Sequence, residues 1–429
     1  MSRLQAKPDD APGAARGRWL RWCMQAAGDR SHPAWLVARQ FGVRGMTALK
    51  FMLGARLLGP GAIGLVGVAL FSVAIGDAAS DTGLGEAIVQ REAVIDRDEA
   101  GAVWTLQLAR GLALGALLAV ATPWICAYFR VPQALPLLFV AVATLLPGNT
   151  LNPGIHLAQR NRDFRLLTLS ALVGGVLDLT CGIGLVLGGV GPVGLLIGTL
   201  VAACWTSLVS WTWCRIPLAP TLRWGKIRSL TGFGKWVWST SILTLVLNQA
   251  DKVIIARLLG PVELGLYQVA TKLAQLALVD TAGLFGQYLY PTVAQVYRGS
   301  AQAARQYVVR MLRRYLVGMA LIAAMLAIFA APLIGHVFGH AWAGAAPMLR
   351  LLAAIGLINA LIVVLVVYLR ATGRPRWVSH VVTLQLVVML TAIAPLYRAL
   401  AVTGLLLALM LSAAVAAGAL AWAAFRQER

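Results

Sequence analysis

The stretch ARLLGPGAIGLVGVAL (Ala55–Leu70) recurs as ARLLGPVELGLYQVAT (Ala256–Thr271), identical at 10 of 16 positions with an offset of 201. In each copy Gly-Pro closes one apolar helix and opens the next, because Gly suits the end of a helix and Pro its first turn. Each copy therefore reads as a tight helical hairpin. The offset covers six expected helices, so both copies cross in the same direction, a parallel repeat about an axis along the membrane normal. Gly59, Pro60, Gly260 and Pro261 are read as shaping the turn, not as touching a ligand.

Composition explains why these helices are expected in lipid. Of 429 residues, 59% are hydrophobic and 12% charged, about half the charged fraction of a soluble domain. Such a chain cannot cover its apolar surface with polar side chains, which argues against a soluble enzyme. Hydropathy and Gly, Pro and Arg punctuation predict twelve spans, at 36–58, 61–87, 100–128, 134–158, 164–188, 191–214, 236–258, 262–290, 313–337, 346–369, 377–396 and 400–424. The expected class is an all-α integral membrane protein with two pseudo-symmetric six-helix lobes, 36–214 and 236–424. A basic linker, RIPLAPTLRWGKIRSLTGFGK (Arg215–Lys235), joins them, and tails 1–35 and 425–429 flank them. The first 34 residues hold no apolar run followed by a cleavage site, so the N-terminus is expected to stay as a tail.

The net charge of +21 is read by location before sign. One set of alternate loops and tails carries 26 Lys and Arg, the other only Arg56, Arg130, Arg257 and Arg398. Because Lys and Arg stay on the cytoplasmic side, both termini are expected in the cytoplasm of a bacterial inner-membrane protein. The excess is then a topology signal, with membrane lipid headgroups as a weaker partner and no nucleic acid.

Ionisable side chains at bilayer depth are costly, so each is a candidate site. Arg39, Arg44 and Lys50 descend the first span without an acid beside them, with Arg39 and Lys50, eleven residues apart, on one face, which suits a wet lumen receiving a phosphorylated group; snorkelling to the interface is the bland account. Lys252 and Lys272 extend the cationic set into the second half. Asp251 falls at the position equivalent to Lys50, so the two could pair across the halves, although a local structural role is the simpler account. Arg110 on the third span joins the cations or is tied by Asp77, Asp81 or Glu86 of the second. Asp178, an isolated acid on the fifth span, and Asp280 on the eighth are candidates for coupling to H⁺ or Na⁺; the alternative is a hydrogen bond between helices.

Other signals point away from chemistry. Cys23, Cys126, Cys181, Cys204 and Cys214 are scattered and odd in number, and form neither a disulfide framework nor a zinc site. His336 and His340 have helical spacing but no third ligand nearby. The Gly-rich stretch Gly184–Gly198 lacks the Lys-Ser/Thr of a phosphate-binding loop and is read as a surface for close helix approach. No metal, cofactor or catalytic residue is expected.

Beyond the two ARLLGP hairpins stand DTGLGEAIVQRE (Asp81–Glu92), WTLQLARGL (Trp104–Leu112), LAQRNRDFRLL (Leu157–Leu167), NQADKVIIARLLG (Asn248–Gly260) and FGHAWAGAAPMLRLLA (Phe338–Ala353). In order and spacing these resemble the Wzx-type polysaccharide transporters, oligosaccharide flippases of the MOP (multidrug, oligosaccharidyl-lipid, polysaccharide) exporter superfamily. The resemblance implies a two-lobed V-shaped bundle that carries undecaprenyl-pyrophosphate-linked oligosaccharide to the periplasmic leaflet by alternating access, beside a polysaccharide polymerase and export proteins. The chain departs from the pattern in its His-containing GHVFGH near the ninth span's outer end and in its short length. Alternatives are a lipid II flippase, a cation-coupled drug antiporter of the MATE type, which would need an acidic lumen, and a membrane glycosyltransferase or polymerase, which would need a larger extramembrane loop.

Overall fold

A computed structural model describes residues 29–32, 34–80, 97–218, 245–246 and 249–425. Among them, eight helices are long and apolar enough to cross a membrane. The chain is a multi-pass membrane protein. Large apolar side chains point outward on these helices, as with Leu117, Val120 and Trp124, each more than 60% exposed. A helix apolar on all sides has lipid, not water, as its solvent.

In chain order the helices are α1 (Ala34–Ser80), α2 (Arg97–Phe129), α3 (Leu135–Ala143), α4 (Leu145–Asn149), α5 (Gly154–Arg160), α6 (Phe164–Leu187) and α7 (Val193–Thr212). A helical stretch over 249–258 follows. Then come α8 (Gly260–Ala274), α9 (Asp280–Gly299), α10 (Ala301–Ile328), α11 (Ala330–Val337), α12 (Ala345–Ala371) and α13 (Pro375–Phe425). A π-turn, Gln275–Val279, links α8 to α9.

Two of these helices hold two expected spans each. α1 breaks at Gly59 (φ 80°), ahead of Pro60, and α13 breaks at Ala401 (φ 48°). Gly260 takes the same left-handed conformation as Gly59, φ 85° against 80°. Only glycine adopts it without a steric penalty, so the sequence reading of both hairpin turns stands in the backbone.

The expected single helix over 134–158 is instead three pieces, α3, α4 and α5. Pro147 and Pro153 each withhold a backbone N–H. Side chains take up the polar groups of the break: the indole N–H groups of Trp211 and Trp104 donate to the Thr150 carbonyl at 2.8 and 3.4 Å, and Ser210 Oγ accepts from Asn152 N at 2.9 Å. The ninth span also differs, since α10 begins at Ala301, where Ser300 caps it by accepting from Ala303 N at 3.3 Å. The described residues leave the full count of twelve spans open, because parts of the expected second and seventh lie outside them.

Contacts gather the described residues into two compact units. The first draws on the described residues within 1–51, 76–121 and 139–241, the second on those within 52–75, 122–138 and 242–429. Within the first, α6 and α7 pack closely: a Cβ on Gly198 would lie 2.5 Å from the Asp178 carbonyl oxygen. Within the second, α12 is the central element, with Val364, Leu365 and Tyr368 buried against Leu289, Val308, Ala416 and Leu420.

Candidate functional site

A buried charged site of the first unit is built on Lys50, only 8% exposed. Its ammonium donates to the Asp178 carboxylate of α6, to the Leu195 carbonyl at 2.7 Å and to Thr199 Oγ1 at 2.9 Å, both on α7. Those acceptors use all three donors of the ammonium. Thr199 Oγ1 also lies 3.2 Å from Asp178 Oδ1, so α1, α6 and α7 share one network. Gly182 makes room for it, since a Cβ there would sit 3.0 Å from Lys50 Cε.

This placement corrects two sequence expectations. Lys50 does not share the exposed face of Arg39; it turns into the unit and meets a carboxylate. Asp178 is not isolated. Arg39 and Arg44 remain exposed on α1, with the Gln40 amide oxygen turned to accept from Arg44 at 3.0 and 3.2 Å. Ahead of the helix, Asp29 accepts from the Ser31 N–H and hydroxyl, both at 2.8 Å, which holds its carboxyl below the usual carboxylate pKa.

Arg110 anchors a second network in the same unit. It pairs with the Asp77 carboxylate and donates to the Asp77 carbonyl at 2.8 Å, to Ser80 Oγ at 3.1 Å and to Asn149 Oδ1 at 3.4 Å. The guanidinium ties α1, α2 and α4 together, so of the two expected roles the tie to Asp77 is the one present. Asp81 and Glu86 lie outside the described residues.

In the second unit, Asp251 has local partners. Asp251 accepts from the Tyr267 hydroxyl and, at 2.8 Å, from Lys252 N. Lys252 Nζ donates to Gln249 Oε1 at 2.9 Å. Lys272 and Asp280 are half-buried. His336 Nδ1 bonds the Pro332 carbonyl at 2.7 Å, one turn back on its own helix.

The two repeated hairpins meet within this second unit. A Cβ on Gly64 would fall 1.7 Å from the Pro261 carbonyl oxygen, and one on Gly265 would fall 2.0 Å from that of Pro60. These contacts exchange under the 201 offset. The motif arginines differ in their contacts: Arg56 donates to the His336 and Val337 carbonyls at 2.9 and 3.0 Å, while Arg257 lies over the Tyr128 ring, 4.9 Å from its centroid.

The sequence profile described as "Polysaccharide biosynthesis protein" matches residues 53–347. The chain belongs to that family. A curated relative, "Lipopolysaccharide biosynthesis protein WzxC" of Escherichia coli (strain K12), is 23% identical over 328 residues, covering 74% of this chain and 64% of its own length. The chain thus spans less than two thirds of that relative. Two solved structures share the fold. One is described as an inward-facing multidrug resistance MATE family transporter of the MOP superfamily (TM-score 0.72, 16% identity, 91% of this chain and 97% of that one). The other is described as the lipid II flippase MurJ in an inward closed conformation (TM-score 0.75, 12% identity, 91% and 87%). The fold is thus the one that the motif resemblance implies.

For this polysaccharide biosynthesis family member, sequence reading missed Thr199, Tyr267, Ser80 and Asn149, all polar residues in apolar runs. Their signal was weak because each partner lies on another helix. Arg56 and Arg257 were counted only as loop charges, although their repetition at an offset of 201 was there to be read.

Proposed function

We propose that the protein is a flippase that moves undecaprenyl-pyrophosphate-linked oligosaccharide repeat units from the cytoplasmic to the periplasmic leaflet by alternating access. It sits in the bacterial inner membrane with both termini in the cytoplasm, and its transport halves are 36–214 and 236–424. The observation that carries this reading is the charge of the first half of α1: three cations and no acid between Ala34 and Leu53. Two of them, Arg39 and Arg44, stay exposed. A pyrophosphate leaving water needs cationic donors, whereas a carrier of cationic drugs needs carboxylates.

In this reading Arg39 and Arg44, with Lys252 and Lys272, receive the headgroup. Lys50 and Asp178 couple the cycle: when their pair opens, the ammonium is released toward phosphate and the carboxylate takes up H⁺ or Na⁺. The family assignment and the MOP fold support a transporter with no hydrolytic step, acting beside a polymerase and export proteins.

The test is a deletion strain analysed for polyprenyl-pyrophosphate-linked repeat units on the inner leaflet. Accumulation that wild-type protein relieves, and that an Arg39→Ala/Arg44→Ala variant relieves poorly, is the expected result. A strain that accumulates lipid II instead, or nothing, overturns the reading.

A further inference from the structure

The start of α10 carries a concentration of charge that neither network uses. Arg305, Arg310, Arg313 and Arg314 line a cavity of about 660 Å³ together with Gln302 and Gln306. At 1.5 Å per residue, the four arginines occupy about 14 Å of helix. Arg310, Arg313 and Arg314 stand exposed on the side of α10 away from Ala304, Val308 and Met319, which are buried in the second unit, and Arg305 flanks them half-buried. Arg305 is held by stacking over Phe425, 5.5 Å from its centroid. Arg310, Arg313 and Arg314 have no hydrogen bond or ion pair among the described residues.

A loop needs only Lys or Arg in number to fix topology; it does not need three of them on one helical face and a fourth at its edge, all lining one cavity. Four guanidiniums so close repel one another, and α10 has no acid to offset them. A planar, always charged fork is the side chain suited to phosphate oxygens, and several forks suit a group carrying more than one negative charge. Val309, exposed beside them in the same lining, gives the cavity an apolar margin.

We propose that this face of α10 is a docking site for the diphosphate headgroup of a polyprenyl lipid in the inner leaflet, separate from the cations of α1. The inference rests on the cytoplasmic orientation and lipid-linked substrate proposed above. It adds a first landing point at the membrane surface, where the diphosphate is held before the headgroup leaves the leaflet.

The experiment is binding of farnesyl pyrophosphate to the purified full-length protein in detergent, with farnesyl monophosphate, inorganic pyrophosphate and phosphatidylglycerol as competitors. Wild-type protein should bind farnesyl pyrophosphate more tightly than the monophosphate. R310Q/R313Q/R314Q should weaken it by roughly tenfold to a hundredfold, and R310K/R313K/R314K, which keeps the charge but not the fork, should recover only part of the loss. Unchanged binding in the glutamine variant overturns the site, as does equal competition by phosphatidylglycerol or by inorganic pyrophosphate. If the glutamine variant aggregates, the lysine variant decides: monophosphate binding it as well as diphosphate refutes the proposal. Retained diphosphate preference with no repeat units trapped in the deletion strain refutes the flippase reading alone, and trapped repeat units with unchanged binding refute the docking site alone.

Discussion

Gly64 faces the Pro261 carbonyl so closely that a methyl group on its α-carbon would lie 1.7 Å from that oxygen. The oxygen belongs to the backbone of a second Gly-Pro turn, so no rotamer change can relieve the overlap. Two hairpins that look like independent copies in the sequence therefore depend on one another for their side-chain choices.

Gly64→Ala and Gly265→Ala should each destabilise the protein by about 1–3 kcal/mol or more, as overpacking against backbone does. Gly61→Ala should be tolerated, because its nearest neighbour is a Val262 methyl at 3.6 Å. Thermal denaturation followed by size-exclusion fluorescence compares them; equal midpoints for Gly64→Ala and Gly61→Ala would refute the contact.

Removing either partner of the Lys50–Asp178 pair should cost about 3–5 kcal/mol, since a single charge then stays buried without its counterpart. Lys50→Met/Asp178→Leu should be markedly more stable than the sum of the single changes implies. All three variants should lose transport. A double-mutant cycle on melting free energies, showing simple additivity, would be the contrary result.

Arg110→Ala should destabilise more than Asp77→Ala. The Asp77 side chain is 52% exposed and can turn to water, whereas Arg110, at 17%, leaves Ser80 and Asn149 without their donor. Arg110→Lys should recover only part of the loss, because an ammonium cannot reproduce the fork. Chemical denaturation of the three variants checks the order.

Arg56→Ala and Arg257→Ala should loosen the joined hairpins without unfolding the protein. Hydrogen bonds from a charged donor contribute about 1.5–3 kcal/mol, less at an exposed site such as Arg56. A cation over an aromatic ring contributes about 0.5–1 kcal/mol. With Leu264→Cys, a buried position of the second hairpin, as reporter, both substitutions should raise labelling by a membrane-impermeant maleimide several-fold; unaltered labelling in both would remove the arginines from the closure.

The parts of the fold written in local sequence were legible. Gly59 and Gly260 adopt the backbone that a Gly-Pro turn demands. The Arg110–Asp77 tie was also within reach, because adjacent spans of opposite charge tend to meet. Lys50 was not. Its position relative to Arg39 on an ideal helix suggested a shared face, but burial depends on which helices pack there, and its partner Asp178 lies 128 residues away. The same holds for Asp251: its acceptor role toward Tyr267 comes from packing of successive helices, and no residue spacing announces it. The helix breaks around Thr150 were missed because Pro147 and Pro153 lie in an apolar run that hydropathy alone reads as continuous.

The exchange of Gly64 with Gly265 and of Pro261 with Pro60 has a consequence for ancestry. A surface whose two sides are copies of each other is isologous, the kind on which identical subunits associate. A protein holding a single ARLLGP hairpin would already present both halves of that contact to a twin. Fusion of two such genes would then have preserved a dimer interface within one polypeptide, leaving positions 50 and 251 free to acquire opposite charges that a homodimer could never have kept apart.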